Sequence, residues 1–486
     1  MFSVRRGVAW LAAAQGSLTV LQIVVSIQIA RLLGPYEMGI FAVAFSVVGL
    51  LSIIRSVGLG SYIIRAAEVT QTMLATAFTI NAVLGVIVAL AIMSLGLVGS
   101  AVLEEPGVRR LLLLMAILPV ISIFEFVPAT MIERKGDFRL VAAVNIARFG
   151  IGNLVTLSFA YAGHGYMSLG YGQLVSALIA AVMNNVLGHR WVRVRFGLQG
   201  WREVGRYGGQ MLTLSVIGGL QGRLAELLLA KLLGLAALGL FSRASSLTGM
   251  VWENLQIVVL RVLLVNFAEL KREGRSLRQS YLQVTRMLTG FLWPVFIGMA
   301  VIAGPLVINL FGDAWSAVIV PLSILAVSAA LCVPIMVAHD IFVVSNETTR
   351  QMRIELFRAP VSLALFAIGC FISLPAAAAM KAAEAILTVV LYRPHLERMT
   401  DTRWADYLPI YGQSLLLTAA AGLPAFIVMA QHHWSAHTPL SVVAAGVGAG
   451  VLAWAVALRI MRHPLFNEGQ RLLSWFHERV LRRKIY

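Results

Sequence analysis

The chain is poor in charge and in cysteine. Only 13% of its 486 residues are Asp, Glu, Lys or Arg, about half the roughly 25% of a soluble globular domain. Its two cysteines, Cys332 and Cys370, both lie in apolar runs and supply neither a disulfide framework nor metal-ligand spacing. Also missing are a Gly-rich phosphate loop, paired metal-ligand motifs and a Ser/His/Asp constellation. ATP hydrolysis is therefore excluded and no enzymatic activity is expected. Any work has to come from an ion gradient, the membrane potential, a substrate gradient or a partner.

What is present is hydrocarbon. Hydrophobic residues make up 59% of the chain and the mean hydropathy is +0.84, so the expected fold class is an all-α polytopic membrane protein. The runs are too long and too continuously apolar for the alternating strands of a barrel. Reading for about 20 apolar residues per crossing gives fourteen segments. They run near 8–30, 37–57, 72–99, 110–131, 141–161, 166–187, 208–233, 239–265, 287–311, 318–344, 355–373, 376–392, 408–430 and 440–461. Arg5 and Arg6 precede the first, which is too long for a signal peptide and lacks a clear cleavage site, so an uncleaved helix is expected.

With a cytoplasmic N-terminus, most of the 39 Lys and Arg residues fall on the inner side, whereas Arg31, Arg109, Arg110, Lys231 and Arg243 fall outside. That is the positive-inside bias, and it supports an even helix count with both termini cytoplasmic. It also accounts for the net charge of +17 without any nucleic-acid partner. The dense inner loop of Arg190, Arg193, Arg195, Arg202 and Arg206 faces anionic headgroups or simply sets topology. The tail 464–486 mixes Leu472, Leu473, Phe476 and Val480 with five cations and is expected to lie in the interface as an amphipathic helix. His432, His433 and His437 read as a solvated outer loop, and the sequon at Asn346 faces the cytoplasm.

An internal repeat organises the chain. ARLLGPYEMGIFAVA (Ala30–Ala44) returns two hundred positions later as AKLLGLAALGLFSRA (Ala230–Ala244), with seven of fifteen positions identical. Such duplication points to a transporter made of two similar halves. The boundaries read from the sequence are 1–206 for a first six-helix bundle with its basic loop, 207–403 for a second bundle, 404–463 for an extra pair and 464–486 for the tail.

Ionisable residues inside the segments are the candidate site, because a central Arg or Asp costs about 2.5–3.5 kcal/mol on insertion scales. Arg223 and Glu226 lie three apart and share a helix face, as do Lys381 and Glu384. Arg223 could hold an anionic oxygen by charge-assisted hydrogen bonds, or the pair could be a structural ion pair. Arg148 and Arg261 have no acid one turn away on their own helices, so they read either as anion ligands or as side chains snorkelling to an interface. The same snorkelling alternative applies to Arg286. Glu125 and Glu253 are possible partners across helices. Coupling to an ion requires a titrating group, for which Asp340 (beside His339), Glu226 and Glu384 are the candidates. Pro119, Pro128, Pro294, Pro334 and Pro424 fall inside segments, as hinges or as static kinks.

The run IARLLGPYEMGIFAVAFSVVGLLSIIRSVGLGSYIIR (Ile29–Arg65) resembles the start of the bacterial polysaccharide transporters, the Wzx-type oligosaccharide flippases of the MOP exporter superfamily. The segments Arg223–Ala244, Glu133–Arg139 (ERKGDFR) and Leu306–Trp315 (LVINLFGDAW) resemble further parts of the same proteins. The resemblance implies about fourteen transmembrane helices. These form two pseudo-symmetric six-helix bundles around a central cavity, plus two C-terminal helices. It also implies transfer of undecaprenyl-pyrophosphate-linked sugar units across a bacterial inner membrane for O-antigen, exopolysaccharide or capsule synthesis. Substrate contacts are then expected from Arg223, Arg148, Arg261 and Lys381, and ion-coupling or ion-pair roles from Glu226, Glu384, Asp340 and Glu125. No cofactor is expected beyond a coupling H+ or Na+. The expected partners are the lipid-linked oligosaccharide, membrane lipids, and the polymerase and assembly proteins. Lipid II flippases and cation-coupled multidrug exporters of the same superfamily are the alternatives.

Overall fold

A computed structural model describes residues 21–55, 58–98, 105–191, 196–255, 261–467 and 470, with the side chains of 98, 203–217, 253–255 and 261–266 left aside. Every regular element among the described residues is helical. That is what hydrocarbon demands, since it offers the backbone no hydrogen-bond partner except the chain itself. The helices are α1 (Leu21–Leu32), α2 (Pro35–Ser52), α3 (Leu59–Arg65), α4 (Gln71–Val98), α5 (Pro106–Met115), α6 (Leu118–Arg134), α7 (Phe138–Tyr161), α8 (Met167–Leu187) and α9 (Trp201–Leu233). They continue with α10 (Leu235–Leu255), α11 (Arg261–Arg272), α12 (Arg278–Val301), α13 (Ala303–Phe311), α14 (Ile319–Cys332), α15 (Ala338–Val344), α16 (Thr348–Ile372), α17 (Leu374–Thr400), α18 (Trp404–Gln431) and α19 (Leu440–Ile460).

Eleven helical stretches among the described residues are long and apolar enough to cross a membrane, and each coincides with one of the expected segments. The other three expectations, 8–30, 208–233 and 239–265, fall on α1, α9 and α10, and the first and last of them include residues outside the described ones. Several segments are built in two pieces. The fourth is α5 and α6, with Pro119 in the first turn of α6. The tenth is α14 and α15, with Pro334 in a 3-10 turn between them. These two prolines therefore start elements and do not kink them, as suits a residue with no N–H to donate. Pro128, Pro294 and Pro424 do lie within helices, together with Pro360, Pro394 and Pro409. The tail from 471 onward lies outside the described residues.

Two compact units divide the chain, Met1–Ser242 and Arg243–Tyr486. In the first, α7 lies along α8 at a seam of small residues. A Cβ on Gly152 would come 3.0 Å from the Gly172 carbonyl oxygen, and one on Gly172 would strike the Thr156 hydroxyl. Small residues at such seams let backbones approach where lipid tails compete equally for apolar side chains.

The repeated segments also meet within this unit. Each ends a helix at its Leu-Leu-Gly and starts the next at once, with Gly34 capping α2 and Gly234 separating α9 from α10. A Cβ on Gly39 would collide with the Leu235 carbonyl, and one on Gly239 would collide with the Pro35 carbonyl. Position 39 thus touches the repeat-equivalent of position 35, and position 239 touches position 35 itself. A reciprocal contact of this kind is the signature of a two-fold relation, here within a single chain.

In the second unit, α12 packs on α18 and α14, α16 on α17, and α18 on α19. Phe267, Tyr281, Leu292, Phe296 and Phe342 fill its core. Buried polar groups are matched across helices: Thr289 to Ser414 at 2.8 Å, Trp293 Nε1 to the Ala330 carbonyl at 2.9 Å, and Trp454 Nε1 to the Gly290 carbonyl at 3.0 Å.

The glycine contact gives a direct test. Gly39→Ala should cost about 1–3 kcal/mol, because backbone cannot yield to a new methyl group, and should lower the melting midpoint in detergent. Gly34→Ala should stay within about 0.5 kcal/mol, since φ at Gly34 is −74° and nothing lies within 4 Å of an added Cβ. Equal melting of the two variants would contradict the reciprocal contact.

Candidate functional site

The second unit holds a cavity of about 520 Å³. Its wall carries a continuous chain of polar side chains from α15, α16 and α17. His339 Nδ1 lies 3.0 Å from Gln351 Oε1, and Gln351 is hydrogen-bonded to Tyr392. The Tyr392 hydroxyl donates to Glu355. Arg358 donates to Glu355 at 2.7 Å and to Glu384 at 2.8 Å, and Lys381 donates to Glu384 at 2.7 Å. The four charged side chains are between 11% and 26% exposed, so their mutual attraction is only weakly screened. Two carboxylates and two cations leave this group formally neutral. The remaining wall includes Trp252, Ser245, Thr248, Gly249, Ser328 and Cys332.

A smaller polar group lies in the first unit where α9 packs on α2. Arg223 Nη1 is 3.0 Å from Glu226 Oε2, and the Ser46 hydroxyl donates to the same carboxylate oxygen. The guanidinium also sits 4.8 Å from the Phe45 ring centroid, a cation–π arrangement. It lies across Gly49, where a Cβ would approach Nε to 2.7 Å. The glycine opens the space and the aromatic ring backs the cation. Arg223 and Glu226 are 29% and 33% exposed, so both remain reachable.

A third group joins α4, α6, α7 and α8. Arg55 donates to Asn81 Oδ1 at 3.0 Å and to the Ser122 hydroxyl. Glu125 is within electrostatic reach of Arg148 and Arg55 and is hydrogen-bonded to Asn184. Buried atoms without a partner remain on Arg55, Asn81, Glu125 and Arg148.

With this arrangement in view, comparison with known proteins is informative. Residues 28–320 match the family described as "Polysaccharide biosynthesis protein". The chain belongs to this family. The chain resembles WzxC, a lipopolysaccharide biosynthesis protein of Escherichia coli (strain K12), at 22% identity over 67% of this chain and 66% of that one. It is 24% identical to the succinoglycan biosynthesis transport protein ExoT of Rhizobium meliloti (strain 1021) over 68% of this chain and 67% of that one. The teichuronic acid biosynthesis protein TuaB of Bacillus subtilis (strain 168) matches at 22% over 93% of this chain and 94% of its own length. The matches to the first two thus span about two thirds of those proteins. Among solved structures, the lipid II flippase MurJ in an inward closed conformation superposes with a TM-score of 0.74 at 11% identity, over 94% of this chain and 99% of MurJ. An inward-facing multidrug resistance MATE transporter of the MOP superfamily gives 0.57 at 14%, over 80% and 99%. These likenesses establish a shared fold, and the family membership agrees with the resemblance carried by Ile29–Arg65.

The structure brings together some of the sequence candidates and separates others. Lys381 and Glu384 share the second-unit cavity with His339. Asp340, next to His339, is buried at 8% exposure but does not line that cavity. Arg223 and Glu226 are paired, and Glu125 and Arg148 face one another across helices. The backbone of Arg261 starts α11, and its side chain and that of Glu253 lie outside the described residues. Arg286 keeps a buried Nε without a hydrogen-bond partner.

Sequence reading missed Glu355, Arg358, Gln351 and Tyr392. Glu355 and Arg358 both sit well inside α16. The signal was present, since Glu355 and Arg358 repeat the three-residue spacing of the two pairs that were singled out. The contact of Arg55 with Asn81 crosses helices and leaves no trace in sequence spacing.

Removing Glu384 would strand Lys381 and leave Arg358 with Glu355 alone, and breaking a buried pair from one side costs about 3–5 kcal/mol. Glu384→Ala should therefore lower the detergent melting midpoint strongly. Glu273→Ala should cost less than about 1 kcal/mol, because Glu273 and its partner Arg275 are 48% and 68% exposed. Comparable melting of the two variants would show that the network does not hold the second unit.

Proposed function

We propose that this chain is a flippase that carries undecaprenyl-pyrophosphate-linked oligosaccharide units from the cytoplasmic to the periplasmic leaflet by alternating access. It would serve O-antigen, exopolysaccharide or capsule synthesis in a bacterial inner membrane, with both termini cytoplasmic. The observation that carries this reading is membership of the polysaccharide biosynthesis family by a multi-pass helical chain whose apolar helices hold half-exposed cations. Likeness of fold to a lipid II flippase supports it further.

The pyrophosphate is assigned to Arg223. A guanidinium presents several donors in a planar fork suited to phosphate oxygens. Glu226 and Phe45 hold that fork in place before substrate arrives. Arg148 is assigned a supporting role toward the same headgroup. The sugar chain travels through the protein while the polyprenyl tail stays in lipid.

Energetics favour an anionic cargo. One elementary charge crossing 100 mV is worth about 2.3 kcal/mol, so two negative charges leaving a negative cytoplasm gain roughly 4–5 kcal/mol. Return of the empty carrier can be driven by H+ or Na+ counter-transport, for which Glu226, Glu384, Asp340 and Glu125 are the candidate groups. A polymerase and assembly proteins would take the flipped unit onward.

Two other cargoes remain as outcomes of the test. Fold likeness favours lipid II over an organic cation, and the cations on the helices disfavour the latter as well. Reconstituted protein should move headgroup-labelled undecaprenyl-pyrophosphate oligosaccharide to the quencher-accessible leaflet. Arg223→Ala should slow that movement about 10- to 100-fold, the worth of one charge-assisted contact, while melting near the wild-type temperature. Unchanged movement by a folded Arg223→Ala protein would remove Arg223 from the reaction. Movement of lipid II alone, or of small organic cations alone, would replace the proposed cargo.

A further inference from the structure

The cavity of the second unit is unsuited to a pyrophosphate, although two of its residues are cations. Lys381 and Arg358 are both committed, at 2.7 and 2.8 Å, to the same carboxylate, and Arg358 also holds Glu355. A dianion entering there would meet two carboxylates at the distance of the cations that should attract it. The field of the cluster cancels beyond its own members.

What the wall offers instead is an alternation of hydrogen-bond donors and acceptors fixed by one another. The order is His339, Gln351, Tyr392, Glu355, Arg358, Glu384 and Lys381, running across three helices. Hydroxyl groups that both donate and accept match such a wall, because each can take a proton from Arg, Lys or Gln and give one to Glu. Opposite chemistry is supplied by Trp252, which lines the same cavity and packs against the apolar core near Phe296. A ring with an apolar face and an edge of hydroxyls needs this combination of aromatic surface and polar edge. The volume of about 520 Å³ falls within the roughly 300–1,000 Å³ of small-molecule sites.

The internal repeat sharpens the contrast between the two polar sites. In the first copy, Phe45 and Gly49 on α2 face Arg223, with the ring behind the cation. Their equivalents two hundred positions on are Ser245 and Gly249, and both line the second-unit cavity. Where the first copy places an aromatic ring against an arginine, the second has a small hydroxyl. The two copies of the motif thus present different side chains at equivalent positions.

We infer that the cavity lined by Trp252, His339, Gln351, Glu355, Arg358 and Glu384 is a saccharide subsite that takes an uncharged sugar ring, separate from the site at Arg223. This rests on the flippase reading for its biological meaning, but saccharide binding can be measured without it.

The test is calorimetric titration of the purified full-length protein with a panel of lipid-free bacterial repeat-unit oligosaccharides, neutral and acidic, and with inorganic pyrophosphate. Trp252→Leu and His339→Ala serve as the variants, since neither breaks the charged cluster, and their melting midpoints verify folding. At least one neutral glycan is expected to bind the wild type, and both variants should weaken it about tenfold or more. Glu273→Ala, at an exposed residue outside the cavity wall, should leave that binding unchanged. Failure of every glycan to bind, or equal binding by folded variants, overturns the saccharide subsite, and so does pyrophosphate binding that is lost in His339→Ala. A protein that flips lipid-linked glycans but binds none of them free overturns the subsite alone. A protein that binds a free glycan through Trp252 yet flips nothing overturns the transport reading alone.

Discussion

A charge placed among apolar helices has to be answered by another charge or by water, and most of what distinguishes this chain follows from that requirement. With charged residues so scarce, several of those that lie inside helices are grouped. Arg223 meets Glu226, Arg358 bridges Glu355 and Glu384, and Lys381 completes the set. Burying such groups is no gain in stability over apolar packing of the same volume. Gly49 makes room for the Arg223 guanidinium, and Gly249 on the other repeated helix lines the cavity beside the Arg358 cluster.

The duplication supplies the frame for these groups. Gly39 and Gly239 let the two copies of one motif approach backbone to backbone, each glycine facing the carbonyl of the other copy's position 35 equivalent. A side chain at either position would separate the helices that carry Phe45 and Ser46 on one side and begin the approach to Ser245 on the other. The glycines of the motif are thus spacers that fix where its polar faces lie. The break after Leu-Leu-Gly serves the same end by turning the chain at once from one helix into the next.

Much of this was legible in the amino-acid sequence, for physical reasons. Long apolar runs announce membrane helices because hydrocarbon leaves the backbone no alternative, and eleven expected segments correspond to helices of suitable length and composition. Pairs on one helix, such as Lys381 with Glu384, announce themselves by spacing. Legibility ended where contacts join different helices. Nothing in the sequence links Glu384 to Arg358, Arg55 to Asn81 or Ser46 to Glu226, because those meetings depend on tertiary packing. It also ended at Pro119 and Pro334, which begin elements that the hydropathy pattern merges.

The account stands on transport of an anionic lipid headgroup, and one measurement addresses that most directly. Wild-type protein in liposomes would be given headgroup-labelled undecaprenyl-pyrophosphate oligosaccharide, and the initial rate of its movement between leaflets followed at imposed potentials of both signs. Movement should require protein and should quicken when the leaflet of origin faces the negative side, slowing when the polarity is reversed. Movement indifferent to polarity, or no protein-dependent movement under either, would contradict the account.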